Sequence, residues 1–233
     1  MGLFRNMRSV MTDGTQSDDV AGEPEDEAVE ETAPRTTGPW DDTDEQPDGP
    51  YLDLGGLKVP APPGLKMHMD TDKTGRVILV RVEVAGSELQ LAPFAAPRTE
   101  GIWDEIRTEI AEQITSDGGK AEERSGPFGL ELATSVMVRT PEGRSGKRTV
   151  RWIGADGPRW FLRGVITGPA ATDPTAAEPV ERLFAGCVVV RGTAAIPPRD
   201  MLEMRLPDQQ VAEEPTEPSF DPLTRGPEIT EIR

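Results

Sequence analysis

From residue 76 to residue 94 the chain alternates side-chain character with a period of two. Ile78, Val80, Val82 and Val84 interleave with Val77, Leu79, Arg81 and Glu83, and after Ala85-Gly86 the alternation resumes at Leu89 and Leu91. This pattern predicts a β-hairpin. A two-residue loop at Ala85-Gly86 pairs Val82 with Leu89 and Val80 with Leu91 on one face. It pairs Arg81 with Gln90 and Glu83 with Glu88 on the other, where Arg81 relieves the repulsion between the glutamates. The period then changes. Ile102, Ile106, Ile110 and Ile114 recur every fourth residue with Trp103 beside them, which predicts an amphipathic helix over 99–116. Thr99 is a candidate cap, and Gly118-Gly119 ends the helix.

Further strands follow. Leu130, Leu132, Val136 and Val138 share one parity across 129–139. A second hairpin is predicted over 148–166 around Ala155-Asp156-Gly157. A three-residue loop there sets Trp152 against Trp160 and Val150 against Leu162, with Gly157 as the left-handed residue such loops need. Asp173-Pro174 is a helix start, giving a second helix over 174–185. Pro179 leaves open a shorter helix that begins there. Cys187–Arg191 reads as a buried strand, Met201–Leu206 as a last edge strand, and Pro50–Leu54 and Leu57–Pro60 as two short extended pieces. Strands interrupted by two helices predict an α+β fold: one domain, a largely antiparallel sheet and two packed helices.

Charge divides the chain further. Residues 1–49 hold 14 Asp/Glu against 3 Lys/Arg, residues 209–233 hold 6 against 2, and residues 50–208 hold 22 against 20. The two ends are also poor in apolar residues, so the expected organisation is a disordered acidic leader (1–49), a folded domain (50–208) and a disordered acidic tail (209–233). Gly38-Pro39-Trp40-Asp41 interrupts the leader. Trp40 is a candidate anchor that folds the leader back onto the domain; the alternative is a partner-docking motif.

The inventory for chemistry is short. His68 is the only histidine, which excludes histidine clusters, and it alternates with Met67 and Met69 in an extended piece. Its two readings are a structural residue and a pH-sensitive or general-base group. Cys187 is the only cysteine and precedes three valines, which reads as an inert core thiol and excludes an intrachain disulfide. Glycine-rich stretches carry turn chemistry rather than phosphate-binding or nucleophile-elbow motifs. No cofactor or metal is expected, and neither is catalysis. No apolar run approaches the roughly 18 residues of a membrane span. The start lacks a signal-peptide core, and Asn6 stands where myristoylation needs Ser or Thr. The expected location is the cytoplasm, without membrane association.

One constellation points to binding. Arg139, Arg144, Lys147, Arg148, Arg151, Arg159 and Arg163 face only Glu142 and Asp156 between 139 and 163. In the register above, Arg151, Arg159, Phe161 and Arg163 share the outer face of the hairpin, and with Arg148 they make a candidate binding surface. Three readings stay open: a solvated face, a grip on an acidic protein segment (the chain's own leader included), or a grip on nucleic acid.

Pro93-Phe94-Ala95-Ala96-Pro97-Arg98, Ile102-Trp103-Asp104-Glu105-Ile106-Arg107, Gly126-Pro127-Phe128-Gly129, Gly157–Gly164 and Val188–Gly192, with Gly38–Asp41 upstream, follow one another in order. Together they resemble an uncharacterised actinobacterial family, a domain of unknown function numbered 3710, over roughly 38–208. The resemblance implies a cytoplasmic actinobacterial protein and supplies no activity or site residue. In architecture alone the element order is similar to small secretion-chaperone-like α+β folds. The functional expectation is a non-enzymatic protein-interaction or chaperone-like module. The alternative is a nucleic-acid-binding domain gated by its acidic leader.

Overall fold

In a computed structural model, which describes residues 37–98, 101–139 and 145–206, the strands are β1 (Trp40–Asp41), β2 (Tyr51–Asp53), β3 (Leu57–Pro60), β4 (Lys66–Thr71), β5 (Val77–Val84), β6 (Ser87–Ala95), β7 (Lys120–Gly126), β8 (Gly129–Arg139), β9 (Ser145–Gly157), β10 (Trp160–Thr167) and β11 (Val188–Val189). The helices are α1 (Trp103–Ser116) and α2 (Pro174–Ala185). The fold is α+β, as the alternation of periods predicts.

The first hairpin has the register read from the sequence, with Val82 opposite Leu89, Val80 opposite Leu91 and Glu83 opposite Glu88. Its loop is possible because Ala85 and Gly86 both take positive φ, 48° and 77°, the geometry that matches the twist of the flanking strands. Five further strands extend this pair into a seven-stranded antiparallel sheet, in the order β4-β5-β6-β10-β9-β8-β7. A smaller sheet, β1-β11-β3-β2, holds the parallel pair β1–β11.

The large sheet is buried on both faces over much of its width. On one face Val80, Val82, Leu89, Leu91, Ile153, Trp160, Leu162 and Ile166 pack with the small sheet and α2. On the other, Phe94, Leu132, Val150, Trp152, Phe161 and Val165 pack beneath Ile102, Trp103, Ile106, Ile110 and Ile114 of α1. The four-residue spacing of the isoleucines therefore makes one continuous stripe toward the sheet. Asp156 accepts from the backbone N–H of Ile102 at 2.9 Å and of Trp103 at 3.3 Å. A β9 carboxylate thus satisfies donors at the start of α1. Thr99, the expected cap, lies outside the described residues. For α2 the expected start is correct: Asp173 accepts from Thr175 N–H at 2.9 Å, with Pro174 in the first turn.

Two expectations fail. The second hairpin turns at Pro158-Arg159, not at Ala155-Asp156-Gly157, and pairs Gly157 with Trp160 and Trp152 with Val165. Trp152 and Trp160 consequently lie on opposite faces. Arg159 takes the left-handed conformation, φ 62°, and Gly157 is needed because a side chain there would collide with the Trp160 ring. The segment Met201–Leu206 is not a strand. It makes isolated bridges from Met201 to Phe94 and from Met204 to Gly55 and Val77. The expected Cys187–Arg191 strand is shorter, Val188–Val189.

Part of the expected leader belongs to the fold. The Trp40 N–H donates to the Cys187 carbonyl at 2.9 Å and the Asp42 N–H to Val189 at 3.1 Å, which places Trp40 in β1 beside β11.

Candidate functional site

Helix α1 covers one face of the large sheet over β7, β8 and β9, and its apolar stripe reaches Phe94 and Phe161. The same face continues across β6, β5 and β4, where the side chains turn polar. Cross-strand register arranges them in rows. Arg163 stands opposite Ala92; Val165, Gln90, Arg81 and His68 form the next row; Thr167, Glu88, Glu83 and Lys66 form the one after. The polar alternation of the first hairpin exists to make this half-sheet, with Arg163 at the junction between it and α1's core.

Most charges here are matched. Arg81 Nη2 lies 2.6 Å from Asp70, Lys66 and His68 each lie 3.8 Å from Glu83, and Gln90 donates to Glu88 at 2.7 Å. Arg163 is the exception. Among the described residues it has no ion pair, and its Nε is buried without a hydrogen-bond partner. Its guanidinium carbon sits 5.2 Å from the centre of the Phe94 ring. Burial pushes its pKa down to about 10. The ring offers a cation–π contact but no acceptor for the N–H groups. Arg81 Nε, on the same half-sheet, also lacks a hydrogen-bond partner. The Phe94 ring continues a stack toward the helix, 6.1 Å to Phe161 and 5.6 Å from Phe161 to Trp103. Trp103 in turn donates to the Leu130 carbonyl at 2.6 Å.

The five residues expected to share one outer surface do not do so. Arg151 is on the opposite face from Phe161 and Arg163, because the hairpin register differs from the expected one by five residues, an odd number. It is buried between Glu131, bound twice at 2.8 and 2.7 Å, and Glu181 of α2 at 2.6 Å. Burial alone lowers its pKa, and the hydrogen bonds and charges of the two glutamates outweigh this and raise it. Arg151 therefore pins α2 to the sheet. Phe161 is fully buried beneath α1. Arg159 sits at the hairpin tip, where its carbonyl accepts from Ala96 N–H at 2.9 Å and Arg191 Nε at 3.1 Å. Arg148 is exposed near the start of β9. Arg144 lies outside the described residues. Arg163 is the one of the five whose side chain holds a buried N–H without a hydrogen-bond partner among the described residues. Arg81, Asp70 and His68 join it across the sheet, a grouping signalled in the sequence only by matching the Lys66–Asp70 alternation to that of 76–94.

The other reactive side chains are placed simply. Cys187 is buried and its thiol donates to the Leu183 carbonyl at 3.4 Å. Burial raises its pKa strongly, so the thiol stays protonated. His68 stands on the edge strand β4, more than half exposed.

Across residues 38–213 the chain matches the model of a family described as a protein of unknown function, DUF3710. The chain belongs to that family. The DUF3710 match begins at Gly38, so it takes in β1 as well as the large sheet. No curated protein matches the chain. Among solved structures, the solution structure of cyanobacterial PsbP from Synechocystis sp. PCC 6803 is similar at 9% identity and a TM-score of 0.36. That match covers 60% of this chain and 91% of the PsbP chain. No helix among the described residues is long and apolar enough to cross a membrane.

Proposed function

We propose that this DUF3710 protein is a non-enzymatic protein-interaction module of the cytoplasm, whose polar half-sheet receives an acidic, extended segment of a partner protein. The observation that carries this reading is Arg163. An arginine held in the fold without a carboxylate costs stability that an apolar residue would not. A carboxylate arriving from a partner would make charge-assisted hydrogen bonds to it. Arg81, on the same face, also has a buried Nε without a hydrogen-bond partner, while its Nη2 is held by Asp70. An extended segment with acids at alternate positions places them along one side, toward the arginines.

Nucleic acid fits this surface less well. Phe94 and Phe161 are buried, which leaves no platform for base stacking.

The test is an NMR titration of the isotope-labelled protein with a synthetic peptide alternating Glu and Leu over about twelve residues. Expected are shifts at the amides of 79–92 and 161–165 that vanish in Arg163→Gln. Shifts confined to other surfaces contradict the proposal, as does stronger binding of a single-stranded oligonucleotide at the same amides.

A further inference from the structure

Strand β4 is an outer strand of the large sheet, with no neighbour beyond it among the described residues. It therefore presents a row of backbone donors and acceptors along its free side. Its sequence is Lys66-Met67-His68-Met69-Asp70, followed by an irregularity between Asp70 and Thr71 that ends the regular ladder. Read about His68, the strand complements itself under a two-fold axis. An antiparallel copy centred on His68 sets Lys66 against Asp70 of the second copy, twice. It also sets Met67 against Met69, twice, on the opposite face.

We propose that two copies of this chain pair through β4, antiparallel and centred on His68, to join their large sheets. Exposure supports this: the side chains of Lys66, His68 and Asp70 retain 76%, 58% and 42% of their accessible surface, so all three can meet a partner. Charge supports it as well. Sheet edges are commonly guarded by charges that repel another edge, whereas here the two charges that flank the axis have opposite sign. At the other edge, β7, pairing about the central Glu123 would set that carboxylate against its own copy. Met67 and Met69 pack partly against the core on the small-sheet side, and cross-strand pairing gives each a further apolar neighbour. The pairing also brings the two polar half-sheets side by side as one surface. The inference stands on β4 alone and does not require that an acidic segment bind Arg163.

The test is sedimentation of the full chain over a range of concentrations, with two charge variants. Lys66→Asp sets two carboxylates against each other at both ends of the pairing, and Asp70→Lys sets two ammonium groups there. Each variant alone should therefore associate about tenfold or more weakly. In an equimolar mixture, a copy of one variant facing a copy of the other has a carboxylate opposite an ammonium group at both ends, so mixing should recover the association. The double variant Lys66→Asp/Asp70→Lys restores both attractions with their signs exchanged and should regain the original association. His68→Cys places two thiols at the axis and should form a disulfide-linked dimer on mild oxidation, with buried Cys187 unaffected. A chain that stays monomeric throughout overturns the proposal. So does association that is indifferent to both charge variants, or a double variant no stronger than the single ones.

Discussion

The indole N–H of Trp160 donates to the Asp41 carboxylate at 2.6 Å, across 119 positions of sequence. Trp160 is fully buried and Asp41 nearly so, and the other Asp41 oxygen accepts from the Thr43 N–H and hydroxyl. Replacing Asp41 by alanine strands a buried donor. The expected cost is about 1–3 kcal/mol, read as a lower urea midpoint. Asp41→Asn keeps an acceptor and should lose less. An unchanged midpoint in the alanine variant would show that the contact contributes nothing.

The same contact sets where the domain must begin. A chain that starts at residue 50, the boundary expected from composition, lacks β1, the Asp41–Trp160 bond and the 2.7 Å Lys58–Asp42 ion pair. It should melt well below a chain that starts at residue 37. Equal melting temperatures would mean that residues 37–49 add no stability.

Arg151, which is buried, and Arg163, which is half-buried with a buried Nε, have opposite expected responses. Arg151→Met leaves Glu131 and Glu181 facing each other without a cation, and should cost about 3–5 kcal/mol in chemical denaturation. Arg163→Met removes a charge that has no carboxylate. It should be neutral or stabilising, by about 1 kcal/mol. Stability lost at Arg163 and kept at Arg151 would reverse the roles assigned here.

Legibility in the sequence followed burial. The first hairpin was readable because one strand face is polar across Arg81, Glu83 and Gln90, so a slip of one residue would bury charge. The second hairpin was misread because β9 and β10 are apolar on both faces, beneath α1 on one side and against α2 on the other. With no polar face, side-chain size became the guide, and pairing Trp152 with Trp160 looked favourable. The true turn needs Arg159 at positive φ, which residue type did not signal. The same slip placed Arg151, Phe161 and Arg163 on one face. Asp156 read as a turn residue because its task, capping α1, depends on a contact with no local trace.

Asp72 gives a pH prediction. The Thr74 hydroxyl, ahead of the backbone N–H groups of Thr74 and Arg76 and the Arg76 side chain, outweighs slight burial and holds its carboxyl at about 2. A carboxyl depressed by folding stabilises the native state above its unfolded pKa of about 4. That contribution fades as the pH falls from about 4 to about 2. Carbon-detected titration should place the Asp72 midpoint near the lower value, and Thr74→Ala should move it upward. A midpoint near 4 in the unmodified chain contradicts the hydrogen-bond account.

The central claim is that Arg163 is kept without a carboxylate so that a partner can supply one. Calorimetric titration of the alternating Glu/Leu peptide into the unmodified chain and into Arg163→Met tests it most directly. Binding should weaken about tenfold or more in the variant, and weaken with salt in the unmodified chain, while the variant melts no lower. Equal affinity in the two proteins would contradict the claim.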